Sequence, residues 1–364
     1  FSASNLRGES YTAESAGQNL KSGSQSGGKI AKGDSESHSS FSPEDEFTDF
    51  EVYPFYIQRQ WTPYKPQRGD FVREALKIGM EVERNVGVNP YRLGVIGSTD
   101  SHTALSSAEE DNFHGKLATD SIPANKTSGF NDDGPGATGW AMSASGMAAV
   151  WAQGNTRGDI LDALERREVY ATTGPRIVVQ FYGGSAFLPA DLDTEESLAN
   201  ARTRVVPMGG VLNQSDTPSF IVMASKDPKG ANLDRVQIVK GWLDASGKSQ
   251  EKVFDVTWSD ERVPNPDGRL PAVGNTVDLK TGRVDNSIGA AQFAAVWSDP
   301  MFDATQPAFY YARVLQIPTA RHSLLDAIAL GQAHAADQPD TIQERAYTSA
   351  IWYRPLGMRE ENNE

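Results

Sequence analysis

Metal or proton-transfer chemistry in this chain has to rest on His, Asp and Glu, because its 364 residues include no cysteine and so no thiolate ligand or disulfide. Five histidines bound the search: His38, His102, His114, His322 and His334. The sharpest spacing is Asp100-Ser101-His102. At positions i and i+2 of an extended chain a carboxylate and an imidazole point to one side, so a strand ending there presents both to one divalent ion. The same spacing also fits a turn in which Asp100 caps a helix and His102 is simply exposed.

A second cluster, Gly33-Asp34-Ser35-Glu36-Ser37-His38, holds three oxygen or nitrogen donors within a turn-prone stretch. Glu36 and His38 are the candidates there for proton transfer, and His38 also for a metal; a solvated polar loop is the plainer explanation. Lys116 offers a point charge for an anionic substrate group, or is an ordinary surface lysine. His114 follows the Asp-x-His stretch closely, but an ordinary surface or core position suits it better. His322 and His334 lie in a later, β-rich region and read as structural.

The elements that must position these groups are partly legible. Val72, Leu76, Met80 and Val82 follow helical spacing behind Asp70 as N-cap, and Asn89-Pro90 stops the segment, so a helix of about four turns is predicted. It leads into Tyr91-Arg92-Leu93-Gly94-Val95-Ile96-Gly97-Ser98, a short apolar run too brief for a helix and suited to a buried strand. Asp100 and His102 then fall at the carboxyl end of a strand, where barrel enzymes carry their catalytic groups. Thr156 and Asp159 have capping-box spacing before Ile160, Leu161 and Leu164, which predicts a second helix. After Gly174-Pro175 the texture changes to short β-branched and aromatic runs, at 177–181, 220–224, 236–239, 253–258 and 308–317. Their alternation predicts an antiparallel, sandwich-like region.

Composition narrows the partners. The net charge of −14, from 48 acidic against 34 basic residues, argues against nucleic acid or an anionic membrane surface, which require positive surface. No run of about 20 apolar residues predicts a membrane span. Lack of cysteine suits a periplasmic or secreted protein that folds without oxidation, and the first residues lack the layout of a signal peptide. Residues 8–40 are rich in Gly, Ser, Lys and Glu and cannot bury a core alone.

Several longer strings carry a resemblance: Leu93 to His102, Glu109-Glu110-Asp111-Asn112-Phe113, Ala149-Val150-Trp151-Ala152 with Asn155-Thr156-Arg157, Tyr170 to Arg176, and Glu344 to Ser349. Together, from about Gly33 to about Pro355, they resemble the bacterial family catalogued as domain of unknown function 3604. That family is similar in turn to the PHP (polymerase and histidinol phosphatase) metallohydrolases, including their carbaryl-hydrolase-like branch, through Gly97-Ser98-x-Asp100-x-His102 and Arg166-Arg167-x-x-Tyr170-Ala171-Thr172. The resemblance implies a distorted, TIM-like (β/α) barrel whose strand ends hold divalent ions, commonly zinc, manganese or iron, for hydrolysis of a phosphate or related ester. Asp100 and His102 match its last metal motif, and Glu36 and His38 match a family segment without mapping onto a particular ligand. One departure is plain: such barrels open with a His-x-His strand, and this chain contains no His-x-His.

The expected organisation is therefore an α/β chain: a low-complexity or partial barrel segment over 1–40, the C-terminal part of an apparently incomplete PHP-like barrel over 41–176, and a β-rich sandwich-like domain over 177–364. The expected function is a metal-dependent hydrolase of a small-molecule phosphate ester or related ester. The metal ligands would be Asp100, His102 and His38, the proton-transfer groups Glu36 and His38, and the substrate contact Lys116. The alternative is a non-catalytic ligand-binding protein with a decayed barrel, whose Trp242, Trp258 and Trp352 line a binding face or, more plainly, fill a core.

Overall fold

The alternating β-branched and aromatic runs after Arg176 fold into two antiparallel sheets packed face to face. The protein is described by a computed structural model covering residues 28–31, 35–53, 55–56, 62–98, 101–103, 105, 107, 109–127, 138–203, 205–213 and 216–356. Its main elements begin with β1 (Gly28–Ala31), α1 (Val72–Val86), β2 (Val95–Ser98), α2 (Pro123–Lys126), β3 (Met147–Val150), α3 (Arg157–Glu165), β4 (Val169–Thr172) and β5 (Val178–Ser185). They continue with α4 (Glu195–Arg202), β6 (Pro218–Ser225), β7 (Leu233–Leu243), β8 (Ser249–Trp258), β9 (Gln292–Ser298), β10 (Ala308–Gln316), α5 (His322–Leu330), β11 (Arg345–Thr348) and β12 (Ile351–Tyr353).

The large sheet runs β8-β7-β10-β11-β4-β3, with β12 also paired to β10, and the small sheet runs β9-β6-β5 with Val206–Pro207 at its edge. Phe181, Phe220 and Val222 of the small sheet meet Val236, Ile238, Tyr310, Ala312 and Val314 of the large one in the main core. On the opposite face of the large sheet, Val72, Leu76 and Met80 of α1 pack against Val239, Leu243, Phe309, Tyr311 and Trp352. The result is three layers, small sheet, large sheet and helix. The period of two along β10 explains it: Tyr310, Ala312 and Val314 face the sandwich, and Phe309, Tyr311 and Arg313 face the helix side. Trp352 is core, Trp242 packs at the edge of the main core, and Trp258 donates its ring N–H to the carbonyl of Arg262 at 2.7 Å.

Helix α1 starts two residues later than Asp70. The Asp70 carboxylate instead accepts from the Tyr64 hydroxyl at 2.6 Å and from the Gln67 amide at 3.1 Å. The helix's first free donors, the amides of Val72 and Arg73, are satisfied by the carbonyls of Ser35 and Glu36 at 2.8 and 3.1 Å. Gly87, at φ 84°, ends the helix with its N–H on the carbonyl of Glu83. Helix α3 begins behind Thr156, whose hydroxyl accepts from the Asp159 amide at 3.2 Å.

The described residues contain five α-helices and form no closed barrel. Parallel pairing among them is confined to β1 with β2 and to β12 with Val211–Leu212. A (β/α) barrel needs repeated helical crossovers between parallel strands, whereas every pairing along the large sheet's main run is antiparallel. That sheet takes β3 and β4 from before residue 176 and β7, β8, β10 and β11 from after it, so the partition expected at 176/177 runs through a continuous sheet.

Strand β2 lies close against the β3 and β4 backbones. A Cβ on Gly97 would come 2.3 Å from the Met147 carbonyl oxygen and 2.7 Å from the Thr172 carbonyl oxygen. Glycine is required there for space. Gly97→Ala is expected to lower stability by about 1–3 kcal/mol, the usual cost of overpacking, read as a drop in Tm; an unchanged Tm would show that β2 does not seat this closely.

Candidate functional site

Two strand ends define the region. Strand β1 pairs with β2 in parallel, with Ala31 opposite Ser98, so the chain leaves both strands at the same end. The stretch leading to Glu36 and His38 follows one, and that leading to Asp100 and His102 follows the other. Asp100 lies outside the described residues.

Glu36 is buried in an ionic network. Its Oε1 takes Arg73 Nη2 and the Tyr311 hydroxyl, and its Oε2 takes Arg313 Nη1 at 3.1 Å and the Ser37 hydroxyl at 2.7 Å. Asp45 completes the group: Arg313 approaches it two-pronged at 2.7 and 2.9 Å, and Arg73 Nη2 lies 2.8 Å away. Arg313 also gives two hydrogen bonds to Gln237 Oε1, at 2.9 and 2.8 Å. Both guanidinium side chains are fully shielded from solvent. Burial alone would push the Glu36 carboxyl up, but Arg73 and then Arg313 outweigh it and hold it below its ordinary value. For Asp45 the balance is the same, with Arg313 ahead of Arg73, and the carboxyl lies far below the usual range.

This network is one end of a broader arrangement. Arg235, Arg313 and Arg345 stand on the helix-side face of the large sheet, beneath the acidic and aromatic stretch 44–51. Arg235 pairs with Glu46 at 2.7 Å, and Arg345 gives a hydrogen bond to the Phe47 carbonyl at 2.9 Å. The Phe47 ring lies 5.0, 5.5 and 5.7 Å from the Arg235, Arg313 and Arg345 guanidinium carbons, and the Phe50 ring 3.9 Å from that of Arg345. Sequence reasoning marked Glu36 but missed its partners, which lie 37 to 277 residues away along the chain. A readable signal was Arg313 itself, an arginine inside an otherwise apolar and aromatic strand.

The other predicted residues are dispersed. The His38 ring packs beside Phe71, with centroids 5.3 Å apart; its Nδ1 accepts from the Ser40 amide at 3.1 Å and its Nε2 lies 3.6 Å from Asp49 Oδ1. That bond assigns the neutral ring's proton to Nε2, so neither nitrogen presents a lone pair to an ion in this arrangement. His102 is exposed, and its amide donates to the Lys116 carbonyl at 2.8 Å. Lys116 is buried, with its ammonium 5.5 Å from the centroid of the Tyr53 ring, turned inward rather than toward a substrate in solvent. His114 is half-buried. Among the described residues no group of three or more His, Asp or Glu side chains is placed to hold a metal. Of the predicted donors among the described residues, Glu36 is committed to its arginines and His38 to its own loop, while His102 is exposed.

A mixed α/β sandwich with a short parallel pair at its edge is the class of protein these elements define. The chain belongs to the family described as a protein of unknown function, DUF3604, whose model matches residues 1–355. No curated protein and no solved structure matches it. No helix among the described residues is long and apolar enough to cross a membrane.

The depressed Asp45 carboxyl sets an expected acid dependence. A carboxyl whose folded value lies below its ordinary 3.8 contributes stability that is present above that pH and lost as pH falls below it. Asp45→Asn is expected to flatten the acid limb of the stability profile between about pH 5 and 2, read by urea unfolding at each pH. A variant with the same acid limb as the wild type would remove Asp45 from the cause.

Proposed function

We propose that this chain is a metal-dependent hydrolase of a phosphate ester or related small ester, with Asp100 and His102 as metal ligands at the end of β2. The observation that carries the reading is the parallel pairing of β2 with β1, which puts the Asp100-Ser101-His102 stretch after the carboxyl end of a parallel strand, where barrel enzymes carry their catalytic groups. The similarity of the Gly97-to-His102 motif to PHP metallohydrolases supports it. A bound zinc, manganese or iron ion would supply a water deprotonated near neutral pH.

The chain's own contribution is positional. The Lys116 carbonyl fixes the backbone of His102, and Gly97 lets β2 sit against the sheet. In this reading Glu36 is a structural anchor rather than a proton-transfer group, because its carboxylate is held by Arg73, Arg313 and Tyr311. Hydrolytic metal sites use three protein ligands, so this reading requires a further donor beside Asp100 and His102.

The second reading, a ligand-binding protein with a decayed site, is favoured by that same commitment of Glu36 and by the lack of a three-donor group among the described residues. Elemental analysis of purified protein with a chromogenic phosphoester assay separates the two. The hydrolase reading expects bound metal near one equivalent or more, turnover, and metal binding at least ~10-fold weaker in His102→Ala, about 1.4 kcal/mol. Metal-free protein without turnover, whose Tm ignores added zinc or manganese, would overturn it in favour of the second.

A further inference from the structure

The start of α5 gathers three segments that follow β2 and one that precedes it. The His322 amide donates to Glu110 Oε2 at 2.6 Å, and its ring Nε2 lies 2.7 Å from the Met142 carbonyl oxygen. The preceding Arg321 donates to the carbonyls of Trp140 and Met142, at 2.6 and 3.0 Å, and pairs with Glu51 at 2.9 Å. One turn further on, Asp326 takes Lys126 at 2.8 Å and the Trp140 ring N–H at 3.1 Å. Four separate segments, at 51, 110–113, 126 and 140–142, are thus held by residues 321–326 at the start of one helix. The intervening chain includes Lys116, whose carbonyl holds His102.

The His322 ring is buried, with its centroid 4.6 Å from that of Phe113. A carbonyl at Nε2 requires the proton there, and Nδ1 is buried with no hydrogen-bond partner. A second proton would have to sit on Nδ1 with no acceptor, and would add a cation beside Arg321 and Lys126. Glu110 is the carboxylate that opposes this; Asp326 and Glu51 are already engaged by Lys126 and Arg321. His334 packs beside Trp140, with ring centroids 5.8 Å apart, and its Nδ1 lies 2.8 Å from Asp340 and its Nε2 3.0 Å from the Ser323 hydroxyl.

We infer that the His322 clamp is an acid-sensitive latch: protonation of the ring releases the 110–113 and 140–142 segments from α5 and loosens the chain around the end of β2. Burial first, and then Arg321, push the imidazole well below its ordinary 6.5, with Glu110 opposing and Lys126 adding to the effect. For a histidine depressed in the closed state, the latch is at full strength above pH 6.5. It weakens as pH falls below that, because the open state takes up the proton first. Uptake of one proton raises the open fraction by up to about tenfold per pH unit.

Hydrogen exchange followed by mass spectrometry on the intact protein, from pH 7.5 to 4.5 and corrected for intrinsic rate, reads this directly. Amides in 109–127 and 138–146 are expected to lose protection relative to those of β7 and β10 as pH falls below about 6.5. In His322→Gln, where the amide replaces the Nε2 donor without titrating, protection is expected to stay level. Equal pH dependence in both proteins, or no loss in the wild type down to pH 4.5, would overturn the latch. If the variant does not fold, nitrogen NMR of labelled histidine in the wild type decides. A buried ring that stays singly protonated until the segments open supports the latch, and one that titrates near 6.5 with the segments still protected refutes it.

Discussion

Two carboxylates and two guanidiniums, Glu36, Asp45, Arg73 and Arg313, are removed from water together, and the rest of the helix-side half of the molecule is arranged so that none is removed alone. An isolated buried charge costs several kcal/mol even after relaxation. Each of these groups therefore requires partners that come from different parts of the chain. Glu36 and Asp45 come from the stretch after β1, Arg73 from the first turn of α1, and Arg313 from the middle of β10. Replacing the whole set by apolar residues could be as stable; what the set adds is specificity of docking, because one placement of 35–51 satisfies all four.

That constraint explains how the molecule is layered. The apolar residues of α1 would hold it against the large sheet at many small rotations. The Arg73 contacts to Glu36, Asp45 and the Tyr311 hydroxyl fix one of them. The same docking brings the carbonyls of Ser35 and Glu36 onto the free amides at the start of the helix. Arg235 and Arg345 extend the pattern along the face, and the rings of Phe47 and Phe50 cover the guanidiniums where carboxylates do not.

Much of this was legible in the sequence, and the rest was hidden for definable reasons. The period of α1, the capping pair Thr156 and Asp159, and five of the sandwich strands are local signals, and local spacing carried them. That β3, β4 and β11 extend the large antiparallel sheet was not readable, because these strands are short and their partners are remote. Nor did the spacing of Glu36 and His38 disclose that an acid suited to catalysis is anchored to two arginines. Donor spacing in a loop states which groups are near one another and says nothing of what the fold brings against them. Asp70 shows the same limit at small scale, since its carboxylate closes the turn before the helix instead of capping the helix itself.

The central claim is that Asp45 and Arg313 are energetically coupled across the docked segment, and a double-mutant cycle with Asp45→Ala, Arg313→Ala and the pair measures it most directly. The account predicts that each single change destabilises by about 3–5 kcal/mol, because it strands a buried charge. It also predicts that the double variant loses much less than the sum, with a coupling energy toward the upper end of the 0.5–3 kcal/mol seen for contacting residues. Additive losses, with coupling below about 0.5 kcal/mol, would contradict it and leave the docking of 35–51 to the apolar contacts of α1 and the large sheet.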